Sequence, residues 1–349
     1  MASSSTGAGA APGPASPTAT FTKPAPAPLS LAESFVMGAL AACTAVTVTN
    51  PFEVVKTRMQ LYGELGTKGG YQSPFKVFGE TVKHEGVRGI QRGLGPAYVY
   101  QILLNGSRLG FYEPFRVGFN RLAGKSKTEV WAIGSLAAGA SSGVVGAVLG
   151  NPFFLVKARL QAYSPHLDPA SARHKYTSTF NGLSTIVKAE GARGLTRGWT
   201  AAVLRTAMGS TAQLPAYNLA KSYLSNLKPE DTFTYNPALY LAGKPNSFWT
   251  YLASSIFSGL CVCAVMQPAD TALTRMYNQP VRIDEKTGRT VGTLYKGPLH
   301  CLYLTAKAEG PLAWYKGTTA HLARIAPHTV LTLVMNEAYS RWYLQATRG

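Results

Sequence analysis

Three short stretches of this 349-residue chain carry acids and bases at matched spacing: PFEVVKTRMQ from Pro51, PFFLVKARLQ from Pro152 and PADTALTRMY from Pro268. On a helix, a carboxylate three residues before an ammonium shares its face, about 4.5 Å along the axis. Glu53 and Lys56 stand so in the first stretch. In the second, Phe154 takes the acid's place before Lys157; in the third, Leu273 takes the base's place after Asp270. With three such faces around one axis, each acid reaches the base of the next helix. Taken in that direction, the contacts are Glu53–Lys157, Asp270–Lys56 and an apolar Phe154–Leu273. The reverse direction strands Glu53 against Leu273 and Lys56 against Phe154, and an unpaired charge at membrane depth costs at least about 2.5 kcal/mol. The first direction is therefore expected: two ion pairs and one apolar contact, closing one mouth of a cavity in a breakable way. Gln60, Gln161 and Tyr277, nine residues after the prolines, are placed to brace the ion pairs by hydrogen bonds.

A second constellation lies seven residues beyond three repeated glycines, Gly93, Gly198 and Gly317, at Tyr100, Arg205 and Arg324. Two guanidinium groups at one height, with a phenol and the hydroxyl of Thr206, suit a small dianion. Arginine grips carboxylate or sulfate oxygens through paired, charge-assisted hydrogen bonds. Arg108 has two readings, attraction of anions at the cavity mouth or pairing with Glu113. His328, one turn above Arg324, is either a plain cavity histidine or the holder of a proton that accompanies the anion. A fainter gate at the opposite mouth is expected from Glu113, Arg116, Asn218, Lys221 and Glu337, with Glu113–Lys221 its best pair. Independent surface salt bridges are the competing account of those residues.

Helices must position these groups. Leu31 to Asn50 carries a single charge, and Ala132 to Asn151 and Tyr251 to Gln267 carry none, so each is close to the roughly 20 residues that cross a bilayer. Each ends at a motif proline, and Pro51, Pro152 and Pro268 inside long helices kink them. EGVRGIQRG, EGARGLTRG and EGPLAWYKG follow, from Glu85, Glu190 and Glu309, and each leads into a second apolar stretch that carries Arg108, Arg205 or Arg324. The unit of span, motif, short polar helix, glycine turn and return span is used three times. An all-α membrane protein is expected, with six transmembrane helices in three pseudo-threefold repeats, short helices on one side, and both termini on one side. The repeats are expected at residues 30–125, 126–230 and 231–349. Gly139 and Gly143, spaced as GxxxG, would allow close helix contact.

Composition agrees. Lys plus Arg number 34 against 16 for Asp plus Glu, a net charge of +18 that points to an anionic partner. The bases are scattered singly, which argues against nucleic acid. Cys43, Cys261, Cys263 and Cys301 have no metal-ligand spacing and are expected to be reduced packing residues. No nucleophile–base set or phosphate loop is found, so neither an enzyme nor a cofactor is expected. Residues 1–29 are dominated by Ala, Pro, Ser, Thr and Gly and are expected to be a disordered tail lacking transit-peptide or secretory patterns.

The three copies of the proline motif, each followed by Glu-Gly and Arg-Gly or Lys-Gly turns, resemble the mitochondrial carrier family over about residues 31 to 345. The resemblance implies six tilted helices, a matrix-side gate at the proline motifs and a cytoplasmic-side gate at the Tyr112-Glu113 and Tyr217-Asn218 positions. It also implies an inner-membrane location with internal targeting, cardiolipin contacts near the short matrix helices, and a monomer. PFFLVK in the second repeat and MYNQP after the third motif look most like the oxaloacetate carrier subgroup, associated with oxaloacetate, sulfate, thiosulfate, malonate and isopropylmalate, often with a proton. Arg205-Thr206 resembles the pair found in keto-acid carriers. Other dicarboxylate, tricarboxylate or uncoupling-type carriers, and a carrier-like scaffold without transport, are the alternatives.

Overall fold

The computed structural model describes residues 29–66, 73–126, 131–164, 166, 173–225, 248–284 and 289–348. The expected tail falls almost wholly outside that range. Six long helices dominate: α1 (Leu31–Leu61), α3 (Leu94–Leu122), α4 (Ala132–Ala162), α6 (Trp199–Ser225), α7 (Phe248–Asn278) and α9 (Thr318–Arg348). Three shorter helices connect them at one end: α2 (Pro74–Ile90), α5 (Thr179–Glu190) and α8 (Pro298–Glu309). The long helices form a ring. α3 packs on α4, α6 on α7 and α9 back on α1, while α1 meets α3, α4 meets α6 and α7 meets α9 within the repeats.

Local chemistry sets the helix ends. Ser30 opens α1 with a capping box, its hydroxyl accepting from the Glu33 amide while Glu33 accepts from the Ser30 amide. Proline at the first turn opens α2 and α8, where its missing N–H costs nothing. Gly93, Gly198 and Gly317 precede α3, α6 and α9 with φ of 75°, 69° and 80°, a left-handed backbone that glycine adopts without penalty. At two of these sites the backbone of a neighbouring helix also leaves no room for a side chain. A Cβ at Gly93 would lie 3.0 Å from the Lys157 carbonyl oxygen, and one at Gly317 2.9 Å from that of Lys56.

α1, α4 and α7 run on without a break through Pro51, Pro152 and Pro268. A proline leaves the carbonyl four residues earlier without its helical donor. At Pro51 that acceptor is Thr47, and the Gln91 side chain donates to it at 3.1 Å. These three helices alone among those described are long and apolar enough to cross a membrane, over Ala32–Leu61, Ile133–Ala162 and Ala253–Asn278. α3, α6 and α9 are diluted by polar groups, Arg108, Arg205 and Arg324 among them.

Two expectations are corrected. The fold is not purely helical, because Val281–Asp284 (β1) and Arg289–Gly292 (β2) form an antiparallel hairpin after α7, with Val281 opposite Gly292. The close helix contact lies not at Gly139, whose absent Cβ would meet nothing within 4 Å, but further along α4. There a Cβ at Gly146 would come within 3.3 Å of the Leu104 backbone, and one at Gly150 within 2.7 Å of the Tyr100 ring. Glycine spacing alone does not say which face of a helix meets its neighbour.

Candidate functional site

The motif ends of α1, α4 and α7 converge on the axis of the ring. Lys157 Nζ lies 2.8 Å from Glu53 Oε2, and Lys56 Nζ 2.7 Å from Asp270 Oδ2. Phe154 packs on a buried cluster that contains Leu273 and Tyr277, its ring centroid 5.8 Å from that of Tyr277 and 4.7 Å from that of Tyr100. The ammonium of Lys157 also lies 5.2 Å over the Phe154 ring, a cation–π arrangement.

The bracing residues behave unequally. Gln60 Nε2 donates to Asp270 Oδ2 at 2.8 Å and its carbonyl accepts from Thr274 at 2.7 Å. Gln161 does not reach the Glu53–Lys157 pair; it donates to Asn50 Oδ1 at 2.9 Å. Tyr277 donates to Asn151 Oδ1 at 2.7 Å. The expectation that all three brace ion pairs is thereby corrected. The amides that precede Pro51 and Pro152 offer a nearer acceptor, and beside Phe154 and Leu273 there is no ion pair to brace.

Those amides are structural positions that spacing arguments missed. Asn50, Asn151 and Gln267 directly precede the motif prolines and donate to turn carbonyls within their own repeats. Asn50 reaches Ile90 and Arg92, Asn151 reaches Leu195 and Arg197, and Gln267 reaches Lys316. A repeated Asn-Pro, Asn-Pro, Gln-Pro ending each apolar run was the available signal. The second base of each motif was also overlooked. Arg58, Arg159 and Arg275 bind Glu85, Glu190 and Glu309 at 2.8, 2.9 and 2.5 Å. Their Nε atoms donate to the carbonyls of Gln161, Tyr277 and Gln60, one helix onward in each case. Arg92, Arg197 and Lys316 flank the same acids at 3.2, 3.1 and 2.6 Å. Burial opposes ionisation at Glu85 and Glu309, but hydrogen bonds and charge from Arg58 and Arg275 outweigh it and hold both carboxyls below the usual range.

Beyond the ion pairs opens a cavity of about 620 Å³, lined in part by Tyr100, Arg108, Arg205, Thr206, Arg324 and His328. Arg205 and Arg324 were expected to be open to substrate; here each also holds a motif acid. Arg205 Nε lies 2.6 Å from Asp270 Oδ1, and Arg324 Nε 2.8 Å from Glu53 Oε1. Each acid therefore carries one base from a motif and one from the cavity. Tyr100 is buried against Phe154 and Gly150. The Thr206 hydroxyl donates to its own helix, at the Ala202 carbonyl 2.8 Å away, leaving only lone pairs toward the cavity. His328 Nδ1 sits 3.3 Å from the Thr49 hydroxyl. Arg108 is exposed within the cavity wall and, among the described residues, has no carboxylate in ion-pair range, so the pairing with Glu113 is not formed.

At the far end Glu113 is exposed and held by Arg116, three residues on in the same helix, rather than by Lys221. Glu337 pairs with Arg341 of its own helix, and Asn218 is exposed on α6. The expected cross-helix contact is thus replaced by local pairs. The bases one turn away satisfy the acids when the far ends of the helices stand apart.

A ring of long helices around a cationic hollow, sealed at one end by ion pairs between repeats, defines a carrier-type membrane protein. The family profile described as mitochondrial carrier protein matches three successive segments, residues 27–122, 128–228 and 244–347, and the chain belongs to that family. It is 47% identical over 309 residues to the mitochondrial oxaloacetate transport protein of Saccharomyces cerevisiae, covering 87% of each chain. It is also 47% identical to the mitochondrial citrate transporter E of Aspergillus niger, over 87% of this chain and 91% of that one. A mitochondrial oxaloacetate transport protein of Schizosaccharomyces pombe is 45% identical, over 91% and 92% of the two chains.

Proposed function

We propose that this protein carries small dicarboxylate anions, oxaloacetate first among them, across the mitochondrial inner membrane by alternating access. In this reading all six long helices cross the membrane and both termini face the intermembrane space. The three repeats span residues 30–125, 126–230 and 231–349, and the carrier works as a monomer with cardiolipin at its matrix helices. The Glu53, Lys56, Lys157 and Asp270 ring, with Phe154 and Leu273 as its apolar member, is the matrix gate, and Gln60 is its brace. Glu113, Arg116, Asn218, Lys221 and Glu337 belong to the opposite gate, which is open in this conformation.

One observation carries the reading: Arg205 and Arg324 line the cavity and at the same time hold the gate acids Asp270 and Glu53. An entering dianion competes with those acids for the two guanidinium groups. Binding thus weakens the gate at the moment the substrate is in place, which supplies the differential affinity that any ligand-driven transition requires. Sulfate and malonate share the required geometry, two negative oxygen groups within reach of two arginines.

Tricarboxylate transport is the second reading. Arg108 favours it, as a third cavity arginine with no acid partner among the described residues, and so does the equal similarity to a citrate transporter. Uptake by purified protein in liposomes, across oxaloacetate, sulfate, malonate, citrate and ADP, is the test. Preference for the dianions, lost when Arg205 and Arg324 are each changed to Gln, is the expected result. Undiminished uptake by those variants would falsify the role given to both residues.

A further inference from the structure

We propose that Glu64, Arg173 and Tyr295 form a second matrix latch, outside the repeated motifs, that must part whenever the matrix mouth opens. The inference rests on the alternating-access reading above and deepens it by adding gate residues.

Glu64 sits in a single helical turn just past α1 and is 2% exposed. Carboxylates are almost never buried so fully unless paired. Its two oxygens are divided between two other repeats. Arg173 Nη1 of the second lies 2.6 Å from Oε2, and Tyr295 Oη of the third donates to Oε1 at 2.9 Å. One carboxylate therefore ties all three repeats together. Burial, and then the Glu64 charge, push the Tyr295 phenol upward, so it stays protonated as a donor.

The motif symmetry does not explain this cluster. The positions that match Glu64, thirteen residues after each motif proline, hold Pro165 and Val281. Tyr176, which precedes α5 as Tyr295 precedes α8, accepts from Arg159 at 2.8 Å instead of binding an acid. The turn itself is held under strain. Leu65 adopts φ of 55°, in the left-handed region, and its amide donates to Glu309 Oε1 at 2.8 Å. A non-glycine residue persists there only when its surroundings over-determine it. The symmetric gate has lost one of three ion pairs to Phe154 and Leu273, and this cluster supplies an ion pair between repeats just beyond it.

A contact made only while the matrix mouth is closed biases the two conformations. Its removal moves the population toward the matrix-open state. In proteoliposomes of one orientation, Glu64→Gln should raise the apparent KM for oxaloacetate offered from the intermembrane side and lower it from the matrix side, changing their ratio by about tenfold. Tyr295→Phe should shift the ratio in the same direction by less. The exchanged pair, Glu64→Arg with Arg173→Glu, should return it toward the wild-type value. An unchanged ratio, or a rise in both constants together, overturns the latch. Thermal unfolding of the single and double variants Glu64→Gln and Arg173→Gln judges the contact independently of transport. Coupling between the two supports it and strict additivity overturns it, whereas wild-type protein that moves no anion would sink the transport reading instead.

Discussion

Replacing Asp270 with Asn tests the sharing of charge between gate and cavity. Asp270 is 1% exposed and holds Lys56 at 2.7 Å, Arg205 at 2.6 Å and Gln60 at 2.8 Å. Asparagine keeps the shape and removes the charge, leaving Lys56 and Arg205 side by side without their acid. Breaking a buried pair by removing one partner costs about 3–5 kcal/mol. Arg205 is in part wetted by the cavity, with its side chain 18% exposed, which places the loss near the lower end, about 3 kcal/mol. At about 2–4 °C per kcal/mol for a chain of a few hundred residues, the midpoint in detergent should fall by on the order of 10 °C. A dianion should behave in the opposite sense. In the wild type it must displace Asp270 from Arg205, and in the variant it need not. If half of the lost pairing, about 1.4 kcal/mol, passes to the ligand, its Kd falls about tenfold. Thermal unfolding against a titration of oxaloacetate, with exchange rates in liposomes, reads all three quantities. The expected pattern is a lower midpoint, a steeper rescue by anion and slower exchange. A variant as stable as the wild type, or one that binds the dianion no more tightly, would refute the claim that Asp270 and substrate compete for Arg205.

Three further outcomes follow from single positions. Gly198→Ala places a Cβ 2.6 Å from the Tyr277 ring at a φ of 69°, and should cost at least about 2 kcal/mol through left-handed strain and the clash combined. Gly139→Ala, with open space around its Cβ, should be neutral or slightly stabilising in the same unfolding assay. His174 is pushed down to about 3 by burial and then by the nearby Arg159 charge, so it stays neutral in the fold while an unfolded chain protonates it near 6.5. The unfolded state then binds more protons between those values, and stability falls as pH drops below about 6.5. At pH 5.5 this amounts to about 1.4 kcal/mol. His174→Gln should remove that part of the acid sensitivity, and an identical pH dependence of the two midpoints would contradict it.

The repeated motifs made much of the site legible. Glu53, Lys56, Lys157 and Asp270 could be paired on paper because the apolar replacements Phe154 and Leu273 leave a single ring direction without stranded charge. The cavity level of Tyr100, Arg205 and Arg324 followed from the offset to three turn glycines. What escaped depended on distances between helices that no periodicity encodes. Gln161 turns to Asn50 and Tyr277 to Asn151 because those amides are nearer than any ion pair. Arg205 reaches Asp270 only because α6 and α7 pack closely, and the hairpin after α7 offers only the brief alternation of Val281 and Ile283 with Arg282 and Asp284 to announce it. Glu64 stands outside every repeated motif, and only the fold brings Arg173, far along the chain, to rest beside it.

The three carbonyl contacts of Arg58, Arg159 and Arg275 have a direction: first helix to second, second to third, third back to first. A chain of clasps with no loose end gives a pulling force nowhere to begin unzipping. A load on one clasp also bears on the helices that carry the other two, so this end of the ring resists partial breaches. If this rim is the matrix gate proposed above, that shared resistance guards a membrane that stores energy as a proton gradient against leakage between one delivered cargo and the next.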